Sequence, residues 1–337
     1  MSMGDPAGIG PEVILKASGA FARKSDAPAL FVLGDLAAMT ENAARIRGVP
    51  RPIKWNPGEP IPASGKLGVL EMSELPASAH RPGAPTVEGG EASFRYVLEG
   101  VRMALAGEID GLVTAPISKE GWHRAGHNFP GHSELIAKLS KVRDWRMMFA
   151  GSELRLALVT IHIALRKVPG ALREDKVFDT IAILDRHMRE KEGRAKPRVA
   201  VLGLNPHAGE GGAFGDEEIR IIEPAIARAH KAGIDAFGPL ASDTAFVRSN
   251  RGFNFDAVVA MYHDQGLIAL KTLEFDRAVN VTVGLPFIRT SPDHGTAFNI
   301  AGRGIANPSS MIAAIEYAFR GTIAGGVAAK SAVRRAG

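Results

Sequence analysis

Between Met261 and Pro308 the chain sets out a run of groups able to hold and polarise an anionic substrate. His263 and Asp264 come first, then Lys271, Asn280 and Arg289, then Asp293, His294 and Gly295. An imidazole beside a carboxylate can bind a divalent metal, and Arg can grip a carboxylate or phosphate through a two-pronged fork. The short hydrophobic runs Val258–Met261 and Val279–Val283 read as strands that deliver these groups to one edge of a sheet. Loops carry polar clusters whatever their role, so this stretch alone does not settle whether it is a site.

Two other histidines share the placement of His263. His162 ends the run Leu154–Ile161, His207 follows Arg198–Leu204, and His263 follows Asp256–Met261. Each lies at or just past the C-terminal end of a predicted strand, the edge where ligands collect in parallel sheets. Three neutral imidazoles with open positions make a catalytic divalent-metal site, and Glu210 and Asp264 are placed to orient two of the rings. A single strand-end histidine is more often an ordinary loop residue; three in equivalent positions shift the balance towards a site. Another cluster, Trp122–Glu134, holds His123, His127 and His132. His132 and Ser133 open a predicted helix over Glu134–Leu139, where free backbone N–H groups and the helix dipole suit a phosphate or carboxylate. His123 and His127 read as surface residues.

The elements that must position these groups alternate between short apolar strands and amphipathic helices. Strands are predicted at Leu30–Gly34, Leu67–Glu71, Asp110–Pro116, Leu154–Ile161, Arg198–Leu204, Ile234–Phe237 and Asp256–Met261, and helices at Leu36–Arg47, Val87–Ala106, Glu174–Glu192 and Asp216–Ala232. The pattern is that of an α/β protein with a mainly parallel sheet. The segment Gly4–Glu12, GDPAGIGPE, is a turn feeding a helix, and the strand expected before it is reduced to Ser2 and Met3. Residues 48–66 read as a loop, and Gly65-Lys66 is not a phosphate-binding P-loop, because Leu67 follows where Ser or Thr is required. Ser242 is read as the cap of a following helix, with Asp243 in its first turn. No repeat or linker marks a boundary, so residues 1–337 read as one catalytic unit whose lobes the sequence does not delimit.

Composition narrows the function. Apolar residues make up 45% of the 337 and charged residues 23%, an ordinary globular balance. No apolar run is long enough to span a membrane, and the N-terminus lacks the features of a secretory signal. The absence of cysteine removes disulfides, thiolate metal sites and a cysteine nucleophile, and fits a cytoplasmic protein. A net charge of +5 with scattered basic residues and 6% aromatics argues against a nucleic-acid surface and for small anionic ligands.

The motifs GDPAGIGPE, TAPISKEGW, GHSE, VTIHI, GLNPHAGEGG, SDT, MYHDQGL, VNVTVGLPFIRTSPDHGTA and AGRGIANP then acquire a common meaning. They stand in the order found in the 4-hydroxythreonine-4-phosphate dehydrogenases of pyridoxal phosphate biosynthesis, and the chain resembles that family from Gly4 to near Gly325. Residues 294–308 also look like the cofactor-side segment of the isocitrate and isopropylmalate dehydrogenases, whose fold has two α/β lobes with a cleft between them. The resemblance implies metal-dependent oxidation of the C3 hydroxyl of 4-phosphooxy-L-threonine by NAD or NADP. The product, 2-amino-3-oxo-4-phosphooxybutanoate, then loses CO2 to give 3-amino-2-oxopropyl phosphate. It further implies a homodimer with a shared site, and Zn, Mg, Co or Mn bound by His162, His207 and His263. Substrate contacts map onto His132, Ser133, Lys271, Asn280 and Arg289.

The residue chemistry leaves Asp243 and Asp264 both open as the proton acceptor, with Lys271 or Arg289 supplying positive charge. No GxGxxG turn follows a predicted strand, so the dinucleotide is expected at His294, Gly295, Thr296 and Asn307 instead. Ser133 stands where the family usually has Thr, and Ala241-Ser242 where it usually has Pro-Ala. A sister dehydrogenase of D-threonate or D-erythronate 4-phosphate is the nearest competing reading, and a metal-dependent hydrolase a more distant one.

Overall fold

The computed structural model describes residues 1–22, 24, 26–62, 65–250 and 252–336, with residues 325–336 described by backbone alone. In chain order the elements are α1 (Gly10–Phe21), β1 (Phe31–Asp35), α2 (Leu36–Ala44), β2 (Arg51–Lys54), β3 (Lys66–Ser73), α3 (Ala77–His80), α4 (Val87–Leu105), β4 (Gly111–Val113), α5 (Lys119–Arg124), α6 (His132–Leu139), β5 (Arg146–Ala150) and β6 (Arg155–Leu158). They continue with α7 (Val168–Ala171), α8 (Glu174–Lys191), β7 (Arg198–Leu202), α9 (Glu223–Lys231), β8 (Asp235–Leu240), β9 (Ala257–Ala260), α10 (His263–Glu274), β10 (Val279–Val283), β11 (Ile288–Pro292) and α11 (Ser309–Ala336). None of the described helices is long and apolar enough to cross a membrane.

Contacts divide the chain into two compact units, Met1–Arg143 with Leu285–Phe319, and Asp144–Gly284 with Arg320–Gly337. In the first, β1, β3 and β2 form a parallel sheet in that order, and β4 pairs in parallel with β11. Ser2 makes parallel bridges to both Leu33 and Thr114, so the two residues left of the expected first strand still tie β1 to the end of β4. Val97, Val101, Leu112, Trp122, Leu135 and Ile136 pack as a core. Gly90 of α4 faces Gly121 of α5 so closely that a Cβ there would lie 2.1 Å from the Gly121 carbonyl oxygen, which only glycine permits.

In the second unit the strand order is β10-β5-β6-β9-β7-β8. β5 runs antiparallel to both its neighbours, and the β6-β9, β9-β7 and β7-β8 pairs are parallel. Leu156, Leu158, Ala200, Leu202, Val258, Ala260 and Leu267 fill its core. Mixed α/β structure with mainly parallel pairing is therefore what the chain adopts.

Three local readings change. Residues 48–66 contain β2, an edge strand, which explains how Pro52 is accommodated without an amide hydrogen to donate. The helix foreseen over Asp216–Ala232 begins as a π-helical turn, Glu218–Ile222, before α9. No helix follows Ser242: residues 242–246 form turns, and the Ser242 hydroxyl accepts from Gln265 Nε2 at 2.8 Å rather than capping. The polar run from His263 forms the first turn of α10.

Candidate functional site

The first unit builds an anion cradle around Arg289. This residue is the second of β11 and only 2% exposed, where a cation needs compensating partners. Its Nη2 donates to Thr114 Oγ1 at 2.6 Å, and Nη1 reaches Ser133 Oγ at 3.5 Å. Thr114 follows β4, whose pairing with β11 continues through the Thr114 N–H to the Thr290 carbonyl at 2.9 Å. Burial lowers the Arg289 pKa to about 9, opposed by the charge of Glu134, so the guanidinium remains charged at neutral pH.

Ser133 and His132 open α6. Gly131 provides no side-chain cap, leaving backbone N–H groups at the helix start for a ligand. His132 stands edge-on to Trp122, with ring centroids 5.6 Å apart, and Trp122 is fixed by an Nε1 hydrogen bond to Ser93 Oγ at 3.0 Å. His132 Nε2 is buried and, among the described residues, has no hydrogen-bond partner. Burial first, then the charges of Arg289 and Lys119, hold its pKa well below the usual histidine range, so the ring is neutral and its buried nitrogen can meet a ligand atom. A charged fork, a hydroxyl, a neutral imidazole and helix N–H groups in one place suit a phosphate or carboxylate.

The expected cofactor segment also belongs to this unit. His294 Nε2 is buried with no hydrogen-bond partner among the described residues, while Nδ1 lies 3.1 Å from the Gly295 carbonyl, and burial lowers the ring's pKa. Gly295 is exposed, and the Thr296 carbonyl accepts from the Ile9 N–H at 2.9 Å. Asn307 Oδ1 is occupied at the start of α11, accepting from Ser309 N at 3.0 Å and Ser309 Oγ at 2.7 Å.

The second unit carries the strand-end histidines. The His162 and His263 ring centroids are 5.7 Å apart. His263 Nδ1 lies 2.6 Å from Asp264 Oδ1, an arrangement that orients the ring and leaves Nε2 for a ligand. His207 follows β7. It lines a pocket of about 310 Å³ with Asn205, Ser242, Asp243, Tyr262 and Gln265. Its loop is unusual: His207, Ala208 and Glu210 all adopt positive φ, between 43° and 52°. Among the described residues of this single chain, no three His, Asp or Glu groups are arranged to hold a metal ion. Lys271 lies on α10 with Nζ 5.8 Å from the Phe275 ring centroid, and Asn280 on β10 has a buried Oδ1 with no hydrogen-bond partner among the described residues.

The structure thus groups Arg289 with Ser133 and His132, His162 with His263 and Asp264, and His207 with Asp243. Two contributors escaped the sequence reading. Thr114 supports Arg289, and its signal was a hydroxyl at a strand's end. Gln265 accepts from the Met261 N–H and donates to the Gly203 carbonyl and Ser242 Oγ, joining the ends of β9 and β7 to the Asp243 turn. Its signal was an amide two residues after His263, on the same first helical turn.

The chain thus combines a mainly parallel α/β architecture with a buried Arg289 beside Ser133 and imidazoles just past strand ends. Comparison gives the family. Residues 26–318 match the model of the pyridoxal phosphate biosynthetic protein PdxA, and the chain belongs to that family. It is 48% identical to 4-hydroxythreonine-4-phosphate dehydrogenase of Geobacter metallireducens, covering 94% of this chain and 92% of that one. It is 43% identical to D-threonate 4-phosphate dehydrogenase of Pectobacterium atrosepticum, covering 95% and 98%. A crystal structure of 4-hydroxythreonine-4-phosphate dehydrogenase from Klebsiella pneumoniae superposes with a TM-score of 0.84 at 41% identity, covering 95% and 96%. The protein is therefore an oxidoreductase of the dehydrogenase type.

Proposed function

We propose that the protein oxidises the C3 hydroxyl of 4-phosphooxy-L-threonine with NAD or NADP, forming 2-amino-3-oxo-4-phosphooxybutanoate, which decarboxylates to 3-amino-2-oxopropyl phosphate. The observation that carries this reading is the buried Arg289 beside Ser133 and the uncapped start of α6, in a chain of this family. That cradle takes the phosphate, and Lys271 and Asn280 contact the rest of the substrate. The strand-end imidazoles suit a borderline divalent ion such as Zn or Co, and are compatible with Mg or Mn. His162, His207 and His263 would hold it, with ligands contributed by both subunits of a cytoplasmic homodimer. When bound, such an ion lowers the pKa of a hydroxyl and steadies negative charge on an adjacent oxygen.

The chain's own groups divide the remaining work. Asp264 is engaged with His263 and orients it, whereas Asp243 lines the His207 pocket and is the better placed proton acceptor. His294, Gly295, Thr296 and Asn307 mark the segment that holds the dinucleotide, and the buried, unpartnered His294 Nε2 fits a polar ligand atom there. When bound there, a nicotinamide would supply the hydride acceptor, and these residues would set its position.

A second reading has a specific observation behind it, the 43% identity to a D-threonate 4-phosphate dehydrogenase. Absorbance at 340 nm separates the two. Metal-stripped protein is given each substrate with NAD or NADP, before and after Mg, Mn, Co or Zn is returned. Metal-dependent reduction with the amino substrate supports the first reading; reduction only with the hydroxy-acid phosphate supports the second. No reduction with either overturns both.

A further inference from the structure

The segment that ends in AGRGIANP is fastened to the first helix by an ion pair whose bonding groups are spent on its backbone. Glu12 is fully buried on α1. Its Oε1 accepts from the Ala306 N–H at 2.7 Å, and its Oε2 from the Gly304 N–H at 3.2 Å. One turn further along, Lys16 Nζ donates to Glu12 Oε1 at 2.8 Å, to the Gly304 carbonyl at 2.9 Å and to the Ala306 carbonyl at 2.8 Å. An ammonium has three hydrogens to give, and three acceptors are met. Carboxylate and ammonium together clamp both the amide and the carbonyl of Gly304 and of Ala306. The other end of the segment is held by the same helix, through the Ile9 N–H to the Thr296 carbonyl. Gly8 admits this approach, since a Cβ there would lie 3.0 Å from that carbonyl oxygen.

An ion pair this buried is a costly way to secure a surface loop, and an apolar contact of similar volume is often no less stable. Its use here fixes the direction of four backbone groups, which burial of apolar surface would leave unspecified. We propose that Glu12 and Lys16 are positioning residues for the dinucleotide, holding the Gly304–Ala306 backbone in the course that binds NAD or NADP. The inference rests on the reading of residues 294–307 as the cofactor segment. Neither side chain acts on substrate, so their effect falls on cofactor affinity.

The test uses Glu12→Gln and Lys16→Met in the full-length protein. Gln places an amide where a carboxylate oxygen met a donor, and Met keeps the apolar stem of Lys while removing its three donors. NADH and NADPH binding is measured by fluorescence titration, together with the KM for each nucleotide, the KM for the phosphorylated substrate at saturating nucleotide, and the melting temperature. We expect nucleotide affinity to fall about tenfold or more in both variants, equal to about 1.4 kcal/mol. The substrate KM should change by less than about threefold, and Lys16→Arg should restore part of the affinity. Unchanged nucleotide affinity alongside a lowered melting temperature would overturn the proposal, leaving a purely structural tether. Lys16 is partly exposed, so Lys16→Met decides the matter should Glu12→Gln not fold. His294→Ala tells the two levels apart. If it leaves nucleotide affinity unchanged, the cofactor-segment reading fails; if it weakens affinity while Lys16→Met does not, only the present inference fails.

Discussion

Thr114→Val isolates what holds the buried guanidinium ready. Val keeps the branched shape of Thr, and the backbone bond from residue 114 to the Thr290 carbonyl needs no side chain. What disappears is the 2.6 Å hydrogen bond from Arg289 Nη2, in a place with 0% exposure at Thr114 and 2% at Arg289. Hydrogen bonds to a charged group contribute about 1.5–3 kcal/mol. At about 1.4 kcal/mol per tenfold, the whole effect read in substrate binding is roughly 10- to 150-fold. Read in stability instead, the same energy is roughly 2–4 °C of melting temperature for a protein of this size. Steady-state kinetics at saturating NAD or NADP and a thermal melt apportion it. We expect the KM for the phosphorylated substrate to rise about tenfold or more, with kcat within about threefold, and Thr114→Ser to recover most of the loss. A substrate KM within about twofold of the parent and an unchanged melting temperature would refute the claim that Thr114 sets the guanidinium.

Other outcomes follow from single side chains. His207→Ala should abolish turnover while circular dichroism stays unchanged; retained activity would remove His207 from the metal set. Asp264→Asn should weaken divalent-metal affinity by roughly 10- to 100-fold, followed by the visible spectrum of added Co(II), because it disturbs the partner that orients His263. His187 is buried and its pKa is lowered from 6.5 to about 3, first by burial and then by Lys191 and Arg155. The folded state thus resists protonation that the unfolded state accepts, so its contribution to stability is complete above pH 6.5 and declines as pH falls towards 3. His187→Gln should flatten the melting temperature across that window; an unaltered slope would exclude His187 as its source. Asp5 shows the opposite linkage. Burial raises its pKa from 3.8 to about 6, against the hydrogen bond from the Ala7 N–H, so stability declines as pH rises from 3.8 to 6. The melting temperature of Asp5→Asn relative to the parent should therefore climb across that interval, and a constant difference would contradict it.

The sequence exposed those features whose signal is local. β10 is Val279–Val283 as read, because alternating β-branched residues ending at Gly284 leave little choice. The strand-end placement of His162, His207 and His263 was legible for the same reason. The first turn of α10 was not, since His263, Asp264 and Gln265 carry no apolar stripe, and its helical face becomes evident only from Gly266, Leu267 and Leu270 packing inward. The helix assigned after Ser242 failed in the opposite way. A Ser-Asp pair resembles a cap, but the hydroxyl serves Gln265, whose partner is chosen by tertiary structure. Thr114 and Glu12 were illegible as site residues because their roles depend on contacts 175 and up to 294 residues away in sequence.

The burial of these groups follows from what each must hold. Arg289 is sunk in a central strand, so its guanidinium cannot be hydrated by bulk water and its attraction for an anion is little screened. Its orientation is given by Thr114 before any ligand arrives, and little side-chain entropy remains to be lost on binding. His162 and His207 are instead exposed, on irregular segments past their strands, and His207 adopts a backbone conformation that non-glycine residues seldom take. Strain of that kind persists only where the surroundings impose it, and here the buried Glu218 does so. It accepts from the Leu204 and Asn205 N–H groups at 2.7 and 2.8 Å and from Asn205 Nδ2 at 2.9 Å, fixing the entry to the loop. Rigidity at the anion cradle therefore comes from strand pairing and burial. At His207 it comes from a carboxylate bound to the backbone just before the turn, which leaves the imidazole itself accessible to a ligand.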